Sequence, residues 1–266
     1  MTHKSIELGT GYKLTINDID QIAKKKLTLR LSSNEAFRAH INAGAKYLSE
    51  MLRKEGYIYG VTTGYGDNCS RPVPLDLVDE LPLHLTRFHG CGLGAILSPA
   101  QTRRVLAVRL ASLCQGVSGV TMDLLERLEM LLDRDILPVI PSEGSVGASG
   151  DLTPLSYIAA VIIGERNVLY KGHRRPTDEV YKELNIVPYK LQPKEALALM
   201  NGTSVMTALA TEAFTRAEYL ARLSARLTAM TSLALRGNPQ HFNERLFAAK
   251  PHKGQGKIAA FIDLVA

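Results

Sequence analysis

The chain has 266 residues, 45% hydrophobic and 22% charged, so it has enough apolar sequence for a substantial core and does not read as disordered. Its net charge of +6 is dispersed, apart from one tight lysine run at residues 24–26, which argues against a nucleic-acid-binding surface. We also expect no membrane span, because no apolar run approaches about 20 residues. The three cysteines lack metal-ligand spacing and indicate reduced thiols in a cytoplasmic protein. The first residues do not lead into an apolar stretch, so we expect no signal peptide.

The first half of the chain is predicted to alternate helices with loops. Residues 12–16 alternate in the manner of a strand, and Asn17 or Asp18 is a candidate cap for a following helix. Helical patterns then cover 33–54 (ended by Gly56), 74–90, 99–115 and 121–133. The loop at 59–67 is unusually rich in Gly and Thr, which indicates tight backbone geometry or close approach.

The second half leads from a glycine-rich loop to long helices. The loop at 144–151 runs into a predicted helix with Thr153 as cap, Pro154 in its first position and an end at Gly164. A polar excursion with one hairpin is predicted for 168–191. Residues 203–235 contain no Gly or Pro, which predicts one helix about 50 Å long and thus a large helical bundle. Residues 257–266 form an apolar helical pattern with no stop signal, so we expect a truncated protein or a natural half.

Two glycine-rich segments resemble binding motifs of other protein classes but lack the structural context of those motifs. Residues 62–67 resemble a potassium-channel filter but lack flanking membrane helices, and Gly90 to Gly94 hints at a dinucleotide loop but follows a helical pattern instead of a strand. No Walker lysine follows either loop. We therefore predict no nucleotide cofactor and no metal.

The triplet Ala148-Ser149-Gly150 is able to build an electrophile. If the loop is held bent, the Gly150 nitrogen can attack the Ala148 carbonyl carbon because glycine has no side chain to block the approach. Loss of two waters, one of them carrying the Ser149 hydroxyl, gives a methylidene-imidazolone ring. The positive end of the following helix would favour negative charge that develops there. An isolated triplet of this kind is also compatible with a plain turn.

Four stretches resemble the family of histidine, phenylalanine and tyrosine ammonia-lyases and their related aminomutases. The segment from Gly144 to Ser156 is similar to the family signature around its prosthetic group, and the other three follow the family order: 59–66, 116–119 and 194–203. The resemblance covers about residues 10–266. Family members are roughly twice this length, which implies that only the N-terminal half is present.

The resemblance implies a mainly α fold of the aspartase/fumarase-like kind. We expect a loop-rich N-terminal domain at 1–192 that carries the prosthetic group, and the first, incomplete helices of a central bundle at 193–266. It further implies a homo-oligomer, a tetramer in the full-length form, whose active site combines several subunits. In the family, a second tyrosine and a carboxylate-binding arginine lie beyond the point where this chain ends.

The resemblance also assigns roles. Tyr59 is the implied base for the Cβ proton of the substrate; since phenols are mostly protonated at neutral pH, this base needs a positive field, which the nearby helix terminus could supply. The alternative is a loop tyrosine that packs on the core. Asn201 is implied to hydrogen-bond near the prosthetic group and the substrate carboxylate, and it also fits an N-cap of the long helix.

The implied substrate-binding residues are Gly66, Phe88, His89 and Leu152. Phe88 and His89 occupy the pair that discriminates aromatic substrates, where histidine lyases resemble Ser-His, tyrosine lyases His-Leu and phenylalanine lyases Phe-Leu. Phe-His departs from all three patterns. Phe88 indicates an apolar site, and His89 either hydrogen-bonds a phenol or imidazole or only packs.

Three functions follow as hypotheses. The first is non-oxidative deamination of an aromatic L-amino acid to the α,β-unsaturated acid and ammonia. The second is an aminomutase that gives a β-amino acid through the same ring. The third is an inactive half that serves only as an assembly partner.

Overall fold

A computed structural model describes residues 4–54, 56–147 and 150–265 and is mainly helical, as predicted. The α-helices are α1 (Ile16–Ala23), α2 (Glu35–Lys54), α3 (Leu81–Phe88), α4 (Pro99–Leu113), α5 (Met122–Asp133), α6 (Leu152–Ile162), α7 (Thr177–Glu183), α8 (Glu195–Met200), α9 (Ser204–Ala234), α10 (Glu244–Ala248) and α11 (Lys253–Val265). The strands are β1 (Lys4–Leu8), β2 (Leu27–Leu31), β3 (Leu93–Ile96), β4 (Leu137–Pro138), β5 (Pro141–Glu143), β6 (Asn167–Tyr170) and β7 (His173–Pro176). Short 3₁₀ helices lie at Gly66–Ser70, Leu75–Leu77 and Pro239–Phe242.

The chain divides into two compact units, residues 1–211 and 212–266. The division into domains at 1–192 and 193–266 concerns the complete fold and stays a prediction. None of the described helices is long and apolar enough to cross a lipid bilayer.

The strands of the first unit form small sheets of two or three strands. Strands β1 and β2 pair in parallel, with α1 as the crossover between them, while β3 pairs with β5 and β4–β6–β7 form an antiparallel sheet. The β3–β5 pair matters most for the site, because β5 ends at Glu143, directly before the glycine-rich loop. The sheet thus fixes the point at which that loop leaves the core.

The core of the first unit centres on α4, α5 and α6. Helix α4 begins with a capping box between Ser98 and Gln101 and has Pro99 in its first turn, which explains its sharp start. Residues 153–162 of α6 are all buried, as expected for a helix that is apolar on every side. This buried helix anchors the C-terminal end of the glycine-rich loop in the core.

Several sequence predictions are confirmed. Helices α2, α4, α5 and α9 lie within a few residues of their predicted limits, and the hairpin predicted in 168–191 is the β6–β7 pair.

Other predictions are wrong. Residues 12–16 are not a strand, because Thr15 and Asp18 form a capping box that starts α1 at Ile16, so neither Asn17 nor Asp18 is the cap residue. The helix predicted over 74–90 is shorter and covers only Leu81–Phe88 after a 3₁₀ turn, and helix α7 was not foreseen. The C-terminal helix α11 begins at Lys253, earlier than the predicted residue 257.

The second unit has a small core of Ala225, Ala229 and Ile262, against which Phe242 and Phe261 pack. Helix α9 therefore buries one narrow alanine face within this unit. Large apolar side chains on its other sides stay exposed, among them Leu220, Leu223, Leu227 and Met230.

Candidate active site

The tyrosine loop holds two tyrosines in different surroundings. Gly60 has φ +68°, and a Cβ there would lie 2.7 Å from Leu197 Cδ2 and 2.9 Å from Tyr65 Cε1, so only glycine allows this packing. Tyr59 is 49% exposed, and its hydroxyl oxygen accepts a hydrogen bond of 3.0 Å from the Gly66 amide. Tyr59 is therefore not a core-packing residue.

Tyr65 is the more buried tyrosine of the pair. Burial raises the pKa of the Tyr65 phenol above its usual value, and the neighbouring Tyr59 raises it further. Tyr65 thus stays protonated at neutral pH, and Tyr59 is the more exposed tyrosine of this loop.

Tyr59 borders a cavity of about 510 Å³, a volume suited to a small molecule. The lining includes Gly66, Phe88, His89, Leu152 and Asn201, which are the residues outside the 148–150 triplet that the sequence assigned to substrate and catalysis. The other lining residues are Gly64, Tyr65, Asn68, Leu81, His84, Leu85 and Leu197. Segments far apart in sequence therefore meet at one concave surface.

Phe88 and His89 lie at the C-terminal end of α3. Phe88 is 81% exposed and offers a large apolar face to the cavity. The His89 Nδ1 lies 3.0 Å from the carbonyl oxygen of Leu85. Since a carbonyl only accepts, Nδ1 carries the proton, and a neutral His89 presents Nε2 as a hydrogen-bond acceptor.

Gly150 lies directly against Gly202. Gly150 has φ +134°, and a Cβ there would lie 2.6 Å from the Gly202 nitrogen and 2.7 Å from its oxygen. A side chain at position 150 is thereby excluded, and the Asp151 amide donates to the Gly202 oxygen at 2.7 Å. Ala148 and Ser149 lie outside the described residues.

The carboxylate of Asp151 ties the glycine-rich loop to α9. Its Oδ2 accepts hydrogen bonds of 2.9 Å from the amides of both Val205 and Met206, which are first-turn amides of α9 without helical partners. Its Oδ1 accepts from the Ser145 hydroxyl at 2.9 Å. Asp151 therefore caps a distant helix.

Two capping predictions are corrected by this arrangement. Helix α6 begins at Leu152, so Thr153 is inside the helix and is not its cap. Helix α9 begins at Ser204, and Asp151 serves its first-turn amides in place of Asn201. Asn201 instead ends α8, where its amide donates to the Leu197 oxygen at 2.8 Å.

Comparisons with known proteins identify the family of the chain. The profile of the family described as "Aromatic amino acid lyase" matches residues 14–265.

The chain belongs to the aromatic amino acid lyase family.

Relatives within the family act on different amino acids. Histidine ammonia-lyase of Shouchella clausii is 36% identical over 251 residues, which cover 94% of this chain and 50% of that protein. Tyrosine aminomutase from Streptomyces globisporus superposes with a TM-score of 0.90 at 34% identity, over 98% of this chain and 48% of that one. Phenylalanine ammonia-lyase from Rhodosporidium toruloides gives a TM-score of 0.81 at 28% identity, over 99% and 39%. The chain thus spans about half the length of the curated relatives it matches.

Sequence reasoning missed two residues that contact the segments around the cavity. Asp151 appeared only as part of a motif, and its bonds to α9 depend on tertiary contact that no local pattern reveals. Arg109 was overlooked although it is a charged residue in the buried helix α4, and such a residue demands a polar partner. Among the described residues no cluster of three metal-ligating side chains occurs.

Replacing Asp151 by alanine should destabilise the fold. The substitution leaves the Val205 and Met206 amides and the Ser145 hydroxyl without their acceptor, and the loss of a charged cap of this kind costs about 2 kcal/mol. Asp151→Asn is the matched control: it keeps the shape and one acceptor oxygen and should cost about half as much. Urea-induced unfolding measures both, and equal stability of wild type and Asp151→Ala would show that these bonds do not hold the loop.

Proposed function

We propose that this chain carries the ring-forming half of an ammonia-lyase active site that deaminates an aromatic L-amino acid to the α,β-unsaturated acid. The observation that supports this most is the single cavity lined by Tyr59, Phe88, His89 and Asn201, with Gly202 following directly and pressed on Gly150. Polar and apolar side chains thus line the same cavity.

The surroundings of Gly150 fit a methylidene-imidazolone formed from Ala148, Ser149 and Gly150. Ring closure requires the Gly150 nitrogen in a tight bend, and the contact with Gly202 leaves room at this position for a bare backbone alone. Once formed, the group supplies an electrophile that takes up the substrate amine and makes nitrogen a better leaving group. No metal or nucleotide enters this proposal.

Tyr59 is the proposed acceptor of the Cβ proton. Its oxygen lies at the cavity wall and accepts a hydrogen bond of 3.0 Å from the Gly66 amide, and such a donor stabilises the phenolate, which is the form of a tyrosine that can take up a proton. Asn201 is the proposed partner of the substrate carboxylate, since an amide can donate without adding charge.

The cavity favours an aromatic substrate with a polar ring atom. Phe88 and Leu152 provide apolar contact for a ring, while His89 Nε2 offers an acceptor to a phenol or an imidazole N–H. Tyrosine and histidine satisfy this acceptor, and phenylalanine leaves it unpaired. An aminomutase is the second candidate, supported by the likeness to tyrosine aminomutase.

Product analysis tests the proposed reaction. The chain is incubated with histidine, tyrosine or phenylalanine, first alone and then with the separately produced C-terminal half of a histidine ammonia-lyase relative. We expect ammonia and an unsaturated acid, with turnover of tyrosine or histidine above that of phenylalanine. A β-amino acid as main product would make the protein an aminomutase, and no product in either mixture would favour a non-catalytic assembly partner.

Paired tyrosine variants locate the base within the same assay. Tyr59→Phe should lower turnover by about 10²–10⁴-fold, the usual contribution of a general base. Tyr65→Phe is the matched control in the same loop and should retain most activity, because Tyr65 is the less exposed member of the pair and its raised pKa keeps it protonated. Equal losses in both variants would contradict the assignment to Tyr59.

We further propose that the protein assembles as a homo-oligomer through α9, as a tetramer in the full-length form. The exposed side chains of Leu220, Leu223, Leu227 and Met230 follow one another at spacings of three and four residues, the pattern of a helix-packing seam. At 100° per residue, this seam lies opposite the buried face of Ala225 and Ala229. A second α9 from another copy matches the seam in length and period.

The mass of the assembly in solution tests the seam. We expect an oligomer in light scattering, and we expect the double variant Leu223→Glu/Leu227→Glu to shift it to smaller species because two charges enter the apolar contact. Leu246→Glu is the matched control, since Leu246 is similarly exposed but lies on α10. A monomeric wild type, or a double variant of unchanged mass, would contradict the proposal.

A further inference from the structure

Arg109 is buried beside the segment that presses on Gly150. It lies on α4 with only 4% of its surface exposed. Its Nη2 donates to the backbone oxygens of Ala198 and, at 3.3 Å, Asn201, and its Nη1 lies 3.5 Å from the Ser204 hydroxyl oxygen. One guanidinium therefore contacts the end of α8, the connecting turn and the start of α9.

The turn between α8 and α9 is held from both sides. A Cβ on Gly202 would collide with Arg109 Nη1, while a Cβ on Gly150 would collide with the Gly202 backbone. Gly150, Gly202 and the guanidinium thus form three successive layers in contact.

The guanidinium remains charged in this position. Burial lowers the pKa of Arg109 to about 10, and the nearby Asp151 carboxylate opposes that shift. Arg109 is therefore a cation at neutral pH whose planar fork reaches several acceptors at once, a geometry that a lysine ammonium does not reproduce.

We propose that Arg109 is a positioning residue for formation of the prosthetic group: it fixes the Asn201–Gly202 turn against Gly150 and so holds the Gly150 nitrogen in place for ring closure. The inference rests on the proposed function, because it assumes that residues 148–150 cyclise.

The step that Arg109 assists is a double dehydration. A bond forms between the Gly150 nitrogen and the Ala148 carbonyl carbon, and the Ala148 oxygen leaves as water with the amide protons of Ser149 and Gly150. The Ser149 hydroxyl leaves as a second water with the Ser149 Cα proton. No electrons are gained or lost, so no oxidant is needed, and the demand on the protein is geometric.

Intact mass measures the step without any substrate. The ring-bearing fraction is the share of protein that lacks two waters, localised by fragmentation to residues 148–150. It is compared for wild type, Arg109→Met, Arg109→Lys and Arg104→Met, each also characterised by thermal unfolding. Arg104 is the matched control because it is equally buried on α4, yet it pairs with Asp20 at 2.5 Å and does not contact the turn.

We expect complete dehydration in wild type and Arg104→Met and a ring-bearing fraction at least about tenfold lower in Arg109→Met, because displacements near 1 Å cost about 100-fold in such reactions. Arg109→Lys should be intermediate, since it keeps the charge and loses the fork. If Arg109→Met does not fold, Gly202→Ala serves in its place: it retains Arg109, displaces the guanidinium, and should also lower the ring-bearing fraction.

Three other results overturn the inference, each in its own way. Full dehydration of folded Arg109→Met, or of Gly202→Ala if that variant replaces it, would remove the role of Arg109 and leave the proposed function intact. Wild type without any loss of water would overturn the proposed function and, with it, the role of Arg109. An equal loss of the ring in Arg104→Met would show a general effect of stability and would likewise refute a specific role.

Discussion

The hydrogen bonds between the Asp151 carboxylate and the first amides of α9 join two segments that lie beside the cavity. They join the glycine-rich loop, which leaves the β3–β5 pair at Glu143, to a helix that begins more than fifty residues later in the sequence. Since Asp151 follows Gly150 directly in the chain, these bonds also restrict where Gly150 lies relative to the start of α9. The turn that brings Asn201 to the cavity is located by the same bonds.

Charge at this junction is balanced within a small volume. The start of α9 is satisfied by Asp151, whereas the start of α6 at Leu152 keeps its positive end towards the loop. Arg109 adds a buried cation whose neighbours are mostly carbonyl oxygens. The helix start and the guanidinium both place positive charge near Gly150, and a positive field of this kind would favour the electron-rich intermediates of the ring formation and proton removal proposed above.

Much of this organisation follows from the sequence alone. The long run without Gly or Pro predicted α9. The family resemblance assigned site roles to Tyr59, Phe88, His89 and Asn201, and these four residues line one cavity. Local patterns failed where two local signals compete, as at residues 12–16, where the Thr15–Asp18 capping box outweighs strand alternation.

The tertiary contacts of Asp151 and Arg109 could not be predicted from the sequence. No periodicity shows that Asp151 caps α9 in place of its own helix, or that Arg109 lies behind Gly202, because both facts depend on how separate helices pack. Buried charges of this kind are recognisable in a sequence only as unexplained exceptions in an apolar pattern. In this chain Arg109 and Asp151 are both buried, and both contact Gly202.

Amide hydrogen exchange at the start of α9 tests the central junction most directly. First-turn helix amides normally exchange fast because they lack helical partners. If Asp151 binds them, Val205 and Met206 should exchange on the order of 100-fold more slowly than the exposed first-turn amide of Ala36 in α2. Exchange of Val205 and Met206 at the rate of Ala36 would mean that the loop and α9 are not joined, and the account of the site would fail.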